Sequence, residues 1–240
     1  MVTAQPSPRE ELTLREDLAF LRGVRLFSLL PDAALHDVAA SVRKRNYRRG
    51  EVIHHADDLA GDVFVIVQGH VKHRLTAPDG RQITHRVHGP GDCYGLLSVL
   101  DRKRRAGDAV ALTDCEVLVV DRDVVAGLLM QHPETHAFLL DLHVGSVRHK
   151  LALIQDLAFL SVPARLAKVL LYYGAGGEEP GGAGATMPSY LNQTELAFLV
   201  GTTRESVNLS LKSFAQRGWI IADRREVRIL DPDGLRRLIE

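Results

Sequence analysis

The 240-residue sequence predicts an α+β chain in which a roll of short antiparallel strands leads into one long helix and then a helix-turn-helix with a small hairpin. Three observations carry this. β-Rich apolar runs separated by glycine turns fill the stretch from Tyr47 to Val120. An apolar stripe with spacings of 3, 4, 3, 4, 3 and 4 residues runs from Ala137 to Ala158. Two helix-cap signatures, Asn192 with Glu195 and Thr202 with Glu205, stand on either side of Gly201.

Residues from about Glu10 to Lys44 read as helical, because Leu26, Leu29 and Leu30, then Leu35, Val38 and Ala39, recur at helical spacing. Pro31-Asp32 breaks that pattern and starts a second helix. Strands follow. Val63 to Val67 is a β-branched run, Val71 to Leu75 alternates, and Ile83 to Val87 and Val117 to Val120 are further runs. Arg49-Gly50, Gln68-Gly69, Asp79-Gly80 and Gly89-Pro90-Gly91-Asp92 supply the turns.

Pro133 suits the first turn of the long helix, which only Gly145 weakens before Ser161-Val162-Pro163. Its stripe is Ala137, Leu140, Val144, Val147, Leu151, Ile154 and Ala158, with Arg148, His149 and Lys150 away from the centre. Such a stripe either packs on the roll of its own chain or pairs with a second copy. A regular seam of about three heptads favours the second copy. Another helix runs from Pro163 through Leu166, Val169 and Leu170 to Tyr173, and Gly174 to Ala185 reads as a flexible insert.

In the helix-turn-helix, Leu196, Leu199 and Val200 are the apolar side of the first helix, and Gly201 ends it. The second helix ends at Gly218 and puts Val207, Leu211 and Phe214 on a core stripe. Arg204, Glu205, Asn208, Leu209, Lys212 and Gln216 share the other face. A helix that enters the major groove reads bases with its N-terminal residues. Arg204 can give two hydrogen bonds to guanine O6 and N7, and Glu205 can accept from cytosine N4. Asn208 suits adenine or a phosphate, and Leu209 suits a thymine methyl. Thr202, Thr203 and Lys212 are candidates for phosphate contacts. Trp219 to Leu230 reads as a β-hairpin whose tip, Asp223-Arg224-Arg225-Glu226, would be a wing.

Composition narrows the class. Apolar residues make up 45% and charged residues 25%, as in an ordinary soluble globular chain. No segment is apolar enough to span a bilayer, and Met1 to Glu16 does not read as a secretory signal, so a cytoplasmic location is the default. Net charge is zero, but six Lys/Arg face three acids between Arg204 and Arg228, and local charge is what a nucleic acid feels. Cys93 and Cys115 have neither C-x-x-C spacing nor a third ligand nearby, so no metal site is expected and they read as buried thiols. No nucleophile–base pair stands out, and Gly174 to Gly184 lacks the Lys-Ser/Thr end of a phosphate loop, so an enzyme is not expected.

Several segments together resemble the Crp/Fnr superfamily of bacterial transcription regulators. They are Arg49-Gly50-Glu51-Val52-Ile53, the run from Gly61 to Val71, Pro90-Gly91-Asp92, Leu157-Ala158-Phe159-Leu160, and Val200 to Asn208. The resemblance covers about Arg22 to Leu230. It implies a cyclic-nucleotide-binding-type β-roll, a long dimerisation helix and a C-terminal winged helix-turn-helix. The boundaries expected are an N-terminal extension (1–22), the effector-binding roll (23–132), the dimerisation helix (133–160) and the DNA-binding domain (161–240). The dimer interface would use Leu140, Val144, Val147, Leu151, Ile154 and Ala158. The partners implied are double-stranded DNA, a second copy of the chain and, for an activator, RNA polymerase; no membrane is implied.

The departures from the family pattern concern the effector. In relatives that bind cyclic AMP, a Gly-Glu-Leu segment and an Arg-Ser-Ala segment hold the ribose and the cyclic phosphate. Here they read Gly95-Leu96-Leu97 and Arg105-Ala106-Gly107. Arg105 or Arg104 could still meet an anion, but Leu96 cannot accept from a ribose hydroxyl. The adenine-contacting pair on the dimer helix corresponds to Lys150-Leu151. No cofactor is identified, and cyclic nucleotide is not expected in the usual mode. No cysteine precedes Cys93, so the iron–sulfur centre of the fumarate-nitrate branch is not expected. His54, His55, His70, His73, His85 and His88 leave haem as an alternative effector, with surface or strand-face histidines as the plainer reading. Relatives carry a second reading Arg where Leu209 stands. A different class of function stays open here: a ligand-binding subunit that regulates a protein partner and has no reading helix.

Overall fold

The computed structural model describes residues 8–176, 182–223 and 226–240. It divides into two compact units, one holding the residues up to His73 with Arg86–Ser146, the other Arg74–His85 with Val147–Glu240.

In the first unit, α1 (Pro8–Gly23) and α2 (Asp32–Ser41) precede the strands β1 (Arg43–Tyr47), β2 (Val52–His54), β3 (Asp62–Gln68), β4 (Val71–Thr76), β5 (Gln82–His88) and β6 (Cys93–Tyr94). The short helix α3 (Leu96–Asp101), then β7 (Asp108–Ala111), β8 (Cys115–Asp121) and α4 (Arg122–Gln131) complete it. The strands form two four-stranded sheets, ordered β1-β8-β3-β6 and β2-β7-β4-β5, and the tip of the β4–β5 hairpin belongs to the second unit. Strands therefore begin at Arg43, where a helix had been expected to reach Lys44. Lys44 is drawn into β1 opposite Leu118, and its ammonium pairs with Asp17 at 2.8 Å, which raises the lysine pKa.

Alternation along β3 explains its continuous apolar run. Val63 and Val65 join a cluster with Leu21, Val24, Phe27, Leu35, Val38, Val125 and Leu129, on the helical side. Phe64 and Ile66 join a second cluster, drawn from both sheets, with Val71, Tyr94, Ala109, Ala111, Val117 and Val119. A strand covered on both faces needs apolar residues at every position. Its register with β8, Val63 opposite Val120 and Val65 opposite Leu118, keeps both sets in phase. Leu21 is fully buried and Leu14, Leu18 and Phe20 pack on the same cluster, so this part of the expected N-terminal extension is core.

The long helix α5 (Glu134–Phe159) starts one residue after Pro133. Its last turn is held by Arg165, whose guanidinium Nη1 donates to the Leu160 carbonyl at 3.1 Å and the Leu157 carbonyl at 3.3 Å. Ser161 then caps α6 (Val162–Gly174) by accepting from the Ala164 N–H. The remaining elements are α7 (Gln193–Val200), α8 (Arg204–Gln216), β9 (Ile220–Ala222), β10 (Val227–Ile229) and α9 (Pro232–Arg236). Leu166 and Leu170 of α6, Leu196 of α7, Val207, Leu211 and Phe214 of α8, and Ile220 and Ile229 of the hairpin are all buried.

The insert expected from Gly174 to Ala185 is only partly loop. Residues 177–181 lie outside the described residues. Past them, Gly184 donates to the Ile229 carbonyl at 2.8 Å and Ile229 donates back to the Ala185 carbonyl at 2.8 Å. Backbone pairing of this kind does not depend on side-chain pattern, so a glycine-rich string conceals it.

Candidate nucleic-acid interface

The helix-turn-helix is built by its caps. Asn192 caps α7, its Oδ1 accepting from the Thr194 N–H at 2.9 Å and the Glu195 N–H at 3.1 Å. Gly201 closes α7 in the left-handed conformation, φ +68°, which an L side chain resists. A Cβ on Gly201 would also lie 2.9 Å from Leu157 Cδ2 and 3.4 Å from Ile83 Cδ1. The turn is thus seated directly on α5 and on the β4–β5 hairpin, a contact that no local motif announces.

The cap of α8 differs from the expected one. Thr203, not Thr202, is the N-cap, and its hydroxyl accepts from the Ser206 N–H at 3.2 Å. The reason is local. The Thr202 N–H still donates to the Ala197 carbonyl at 3.0 Å, so Thr202 belongs to the turn that ends α7. Thr203 is the residue with extended backbone, φ −85° and ψ 156°. Glu205 then stands second in the helix rather than third, and Ser206 takes the capping position. Glu205 is exposed.

One face of α8 carries Arg204, Glu205, Leu209, Lys212 and Gln216, all exposed, with Asn208 half-buried. Leu209 is 68% exposed, an unusual state for a large apolar side chain in mid-helix, while Val207, Leu211 and Phe214 on the opposite stripe are at most 2% exposed. Of the phosphate candidates, Thr202 is half-buried and the Thr203 hydroxyl is engaged in the cap, 3.1 Å from the Ser206 hydroxyl. Charge favours an anion at the N-terminal end of α8, where the positive end of the helix dipole stands beside the exposed Arg204.

Behind α8, Trp219 packs 5.8 Å from Phe214, and the Arg217 guanidinium lies 4.7 Å over the Trp219 ring. Arg217 is therefore partly engaged with an aromatic face. β9 and β10 pair antiparallel, Ala222 opposite Val227, and the tip is pinned by Glu226 N–H donating to Asp223 Oδ1 at 2.8 Å. Arg224 and Arg225, expected at the wing tip, lie outside the described residues. Arg228 stays exposed on β10, 4.0 Å from Glu226.

The expected dimer seam is a row of exposed apolar side chains along α5. Leu140 is 67% exposed, Val144 51%, Val147 54%, Leu151 56% and Ile154 60%. Ala158 is exposed as well.

The three residues expected at the effector site have different surroundings. Arg104 is exposed and donates to the Asp57 carbonyl at 2.6 Å. Arg105 is only 5% exposed. Its Nη2 donates to the Asp62 carbonyl at 2.6 Å, its Nη1 lies 3.4 Å from the Gly95 carbonyl, and it rests 5.4 Å over the Phe64 ring. Gly95, φ +95°, makes room for that guanidinium, since a Cβ there would sit 2.7 Å from Arg105 Nη1. Lys150 is exposed on α5 and belongs to the other unit. Leu96 is 3% exposed and part of the core on the helical side.

What the sequence did not disclose is an aromatic cluster inside the roll. Phe64 and Tyr94 stack at 5.0 Å, His73 meets Tyr94 edge-on at 4.7 Å, and His88 lies 4.9 Å from His73. His54 stands 5.9 Å from both Phe64 and His73. These residues come from β2, β3, β4, β5 and β6, so only strand pairing brings them together. His54, His73 and His88 are thus half-buried strand-face residues, whereas His55 is exposed. Among the described residues, neither ring nitrogen of His54 has a hydrogen-bond partner, and neither has the Tyr94 hydroxyl. Burial, helped by the Arg105 charge, pushes the His54 pKa down to about 4, and burial pushes the Tyr94 phenol up. Of the two thiols, Cys115 is buried and Cys93 half-buried, the latter pushed up to about 12 by burial.

Comparison with known proteins matches this geometry. A cyclic nucleotide-binding domain model covers residues 44–132, and a Crp-like helix-turn-helix domain model covers residues 164–238. Over 213 residues the chain is 32% identical to the CRP-like cAMP-activated global transcriptional regulator of Mycobacterium tuberculosis, a match spanning 88% of this chain and 95% of that protein. It is 28% identical over 198 residues to the cyclic AMP receptor protein of Thermus thermophilus, spanning 82% and 88%. Among solved structures, FixK2 from Bradyrhizobium japonicum aligns with a TM-score of 0.73 at 24% identity, covering 83% of this chain and 98% of that one.

Proposed function

Because the chain belongs to the Crp/Fnr family of transcription regulators, we infer that it is a sequence-specific DNA-binding regulator acting as a homodimer on a near-palindromic site. The observation that carries this is the exposed face of α8, where Arg204 and Glu205 lead a capped helix whose opposite stripe is fully buried. The exposed row from Leu140 to Ile154 supports the dimer, since a monomer gains nothing by leaving it in water. Pairing through that row sets two reading helices about one DNA turn, roughly 34 Å, apart. The chain acts by binding rather than by catalysis, in the cytoplasm, and as an activator it would contact RNA polymerase. Among the described residues no helix is long and apolar enough to cross a membrane.

The roll is the effector domain, and its effector is not a cyclic nucleotide held in the way usual for the family. Two features support this reading: Leu96 is committed to the core, and Arg105 is committed to backbone carbonyls. Haem is the second reading, favoured by the unengaged ring nitrogens of His54. A Soret band in the purified protein that disappears in His54→Gln supports haem, and a protein without that band rules it out.

DNA binding is tested by fluorescence anisotropy on a palindromic duplex library at several salt concentrations. Affinity that falls steeply with salt and differs between sequences is the expected result. Affinity indifferent to both overturns the proposal.

A further inference from the structure

Leu209 is the sixth residue of α8, and its side chain is 68% exposed. The core stripe of this helix is Val207, Leu211 and Phe214. Leu209 stands two residues after Val207 and two before Leu211, which turns it about 160° from each at 3.6 residues per turn. It therefore shares the outer face with Glu205, Lys212 and Gln216, spaced 4, 3 and 4 residues apart and all exposed.

The side chains one turn away from Leu209 are Glu205, Ser206, Lys212 and Ser213, all polar. The leucine is a single apolar spot ringed by hydrogen-bonding groups. A docking face for a protein is a contiguous apolar patch, and these four residues supply none. A DNA major groove presents N7 and O6 of guanine, N7 and N6 of adenine, N4 of cytosine and O4 of thymine, all of them hydrogen-bonding groups. Its one apolar group is the thymine C5 methyl. Leucine set against a polar edge strips water from it and returns no hydrogen bond. Set against the methyl, it removes only apolar surface from water.

We propose that Leu209 is a specificity-determining residue that reads the C5 methyl of a pyrimidine, thymine in unmodified DNA, in each half-site. This deepens the DNA-binding proposal and rests on it. Leu209 lies four residues beyond Glu205, about 6 Å along the helix axis. For a helix lying along the groove, the methyl belongs to a base pair within two steps of the one that Glu205 meets, at about 3.4 Å per step. Covering one methyl changes affinity about fourfold per half-site, and about 15-fold for a palindrome.

The test uses the full chain. A preferred palindrome is selected from a randomised duplex library with the parent and with Leu209→Ala, and the position at which the two selections differ is the one Leu209 reads. Duplexes carrying thymine, uracil, cytosine or 5-methylcytosine there, in both half-sites, are then compared by fluorescence anisotropy. Uracil lacks only the methyl, so the parent should bind it about 15-fold more weakly than thymine. Leu209→Ala should bind thymine and uracil duplexes within about twofold of each other while keeping the preference that Arg204→Ala removes. Leu209→Arg, which replaces the apolar tip with paired donors, should prefer guanine at that position. A methyl read on either pyrimidine also makes 5-methylcytosine tighter than cytosine, whereas a gain with thymine alone confines the reading to the thymine pair. The thymine–uracil comparison needs no variant, so it holds even where a substitution unfolds the chain. Thymine and uracil bound alike by the parent, or the same site selected by the parent and a folded Leu209→Ala, overturn the proposal and leave sequence-specific binding standing. Selection of no sequence at all overturns the DNA-binding reading and this inference with it.

Discussion

Truncating Leu151 and Ile154 to alanine tests the dimer. In a single chain these side chains are 56% and 60% exposed, so about half of each remains to be covered by a partner. Removing a fully buried side chain of this size forfeits about 2–3 kcal/mol of transfer free energy, so the part newly covered is worth about 1–1.5 kcal/mol. A two-fold interface contains every residue twice, which makes each substitution worth about 2–3 kcal/mol per dimer. At 1.4 kcal/mol per decade, Leu151→Ala should raise the dimer Kd about 30- to 150-fold, and the double variant about a thousandfold or more. The stability of the single chain should fall by only about 1 kcal/mol per substitution, the value of the part of each side chain that is covered before association. Sedimentation equilibrium gives the Kd, and thermal denaturation at concentrations where the protein is monomeric gives the stability. If both variants dimerise within about threefold of the parent, the seam is not the interface and the exposure argument fails.

Three further outcomes follow from the same geometry. Thr203→Ala removes the cap of α8 and should cost about 1 kcal/mol, or a few degrees in Tm, whereas Thr202→Ala should cost far less; equal losses would return the cap to Thr202. Arg204→Ala should lose about 1–3 kcal/mol of discrimination at one base pair of each half-site, while Lys212→Ala should weaken all sequences alike and reduce the salt slope by about one; base-by-base competition binding separates the two effects. His54 is held neutral, its pKa down from 6.5 to about 4. Above 6.5 both folded and unfolded chains carry a neutral imidazole, so it adds no pH dependence there. Between 6.5 and about 4 only the unfolded chain binds the proton, so stability falls as pH falls, by up to about 3 kcal/mol. Denaturant melts should show a steeper fall between pH 6.5 and 4 for the parent than for His54→Gln, with the two running parallel above 6.5, and a parent that gains stability on acidification contradicts the buried neutral histidine.

Much of this protein was legible in the sequence, and the legible parts share a physical cause. Every element read correctly rests on short-range rules. The exposed apolar row on α5 follows from helical periodicity, the αL end of α7 from glycine's freedom at Gly201, and the outward face of α8 from the apolar spacing of Val207, Leu211 and Phe214. The exposed Leu209 on that face was likewise visible, because a helix fixes direction once one stripe is known to be core. The cap slipped by one residue because the Thr202 N–H, like that of Gly201, is still tied to the Ala197 carbonyl. That is decided by turn geometry, not by residue type.

The rest required the folded chain. His54, Phe64, His73, His88 and Tyr94 lie on five strands, and nothing local makes them neighbours until the sheets pair. Arg105 could have faced an anion by its residue type, yet the fold turns it to the Asp62 carbonyl. The seating of Gly201 on Leu157 and Ile83 joins residues far apart in the chain. The sequence alone thus determined the exposed face of α8 and the exposed apolar stripe of α5, since both follow from the periodicity of single helices. Only the tertiary structure decided what surrounds each buried charge, because burial and pairing are properties of contacts between distant segments.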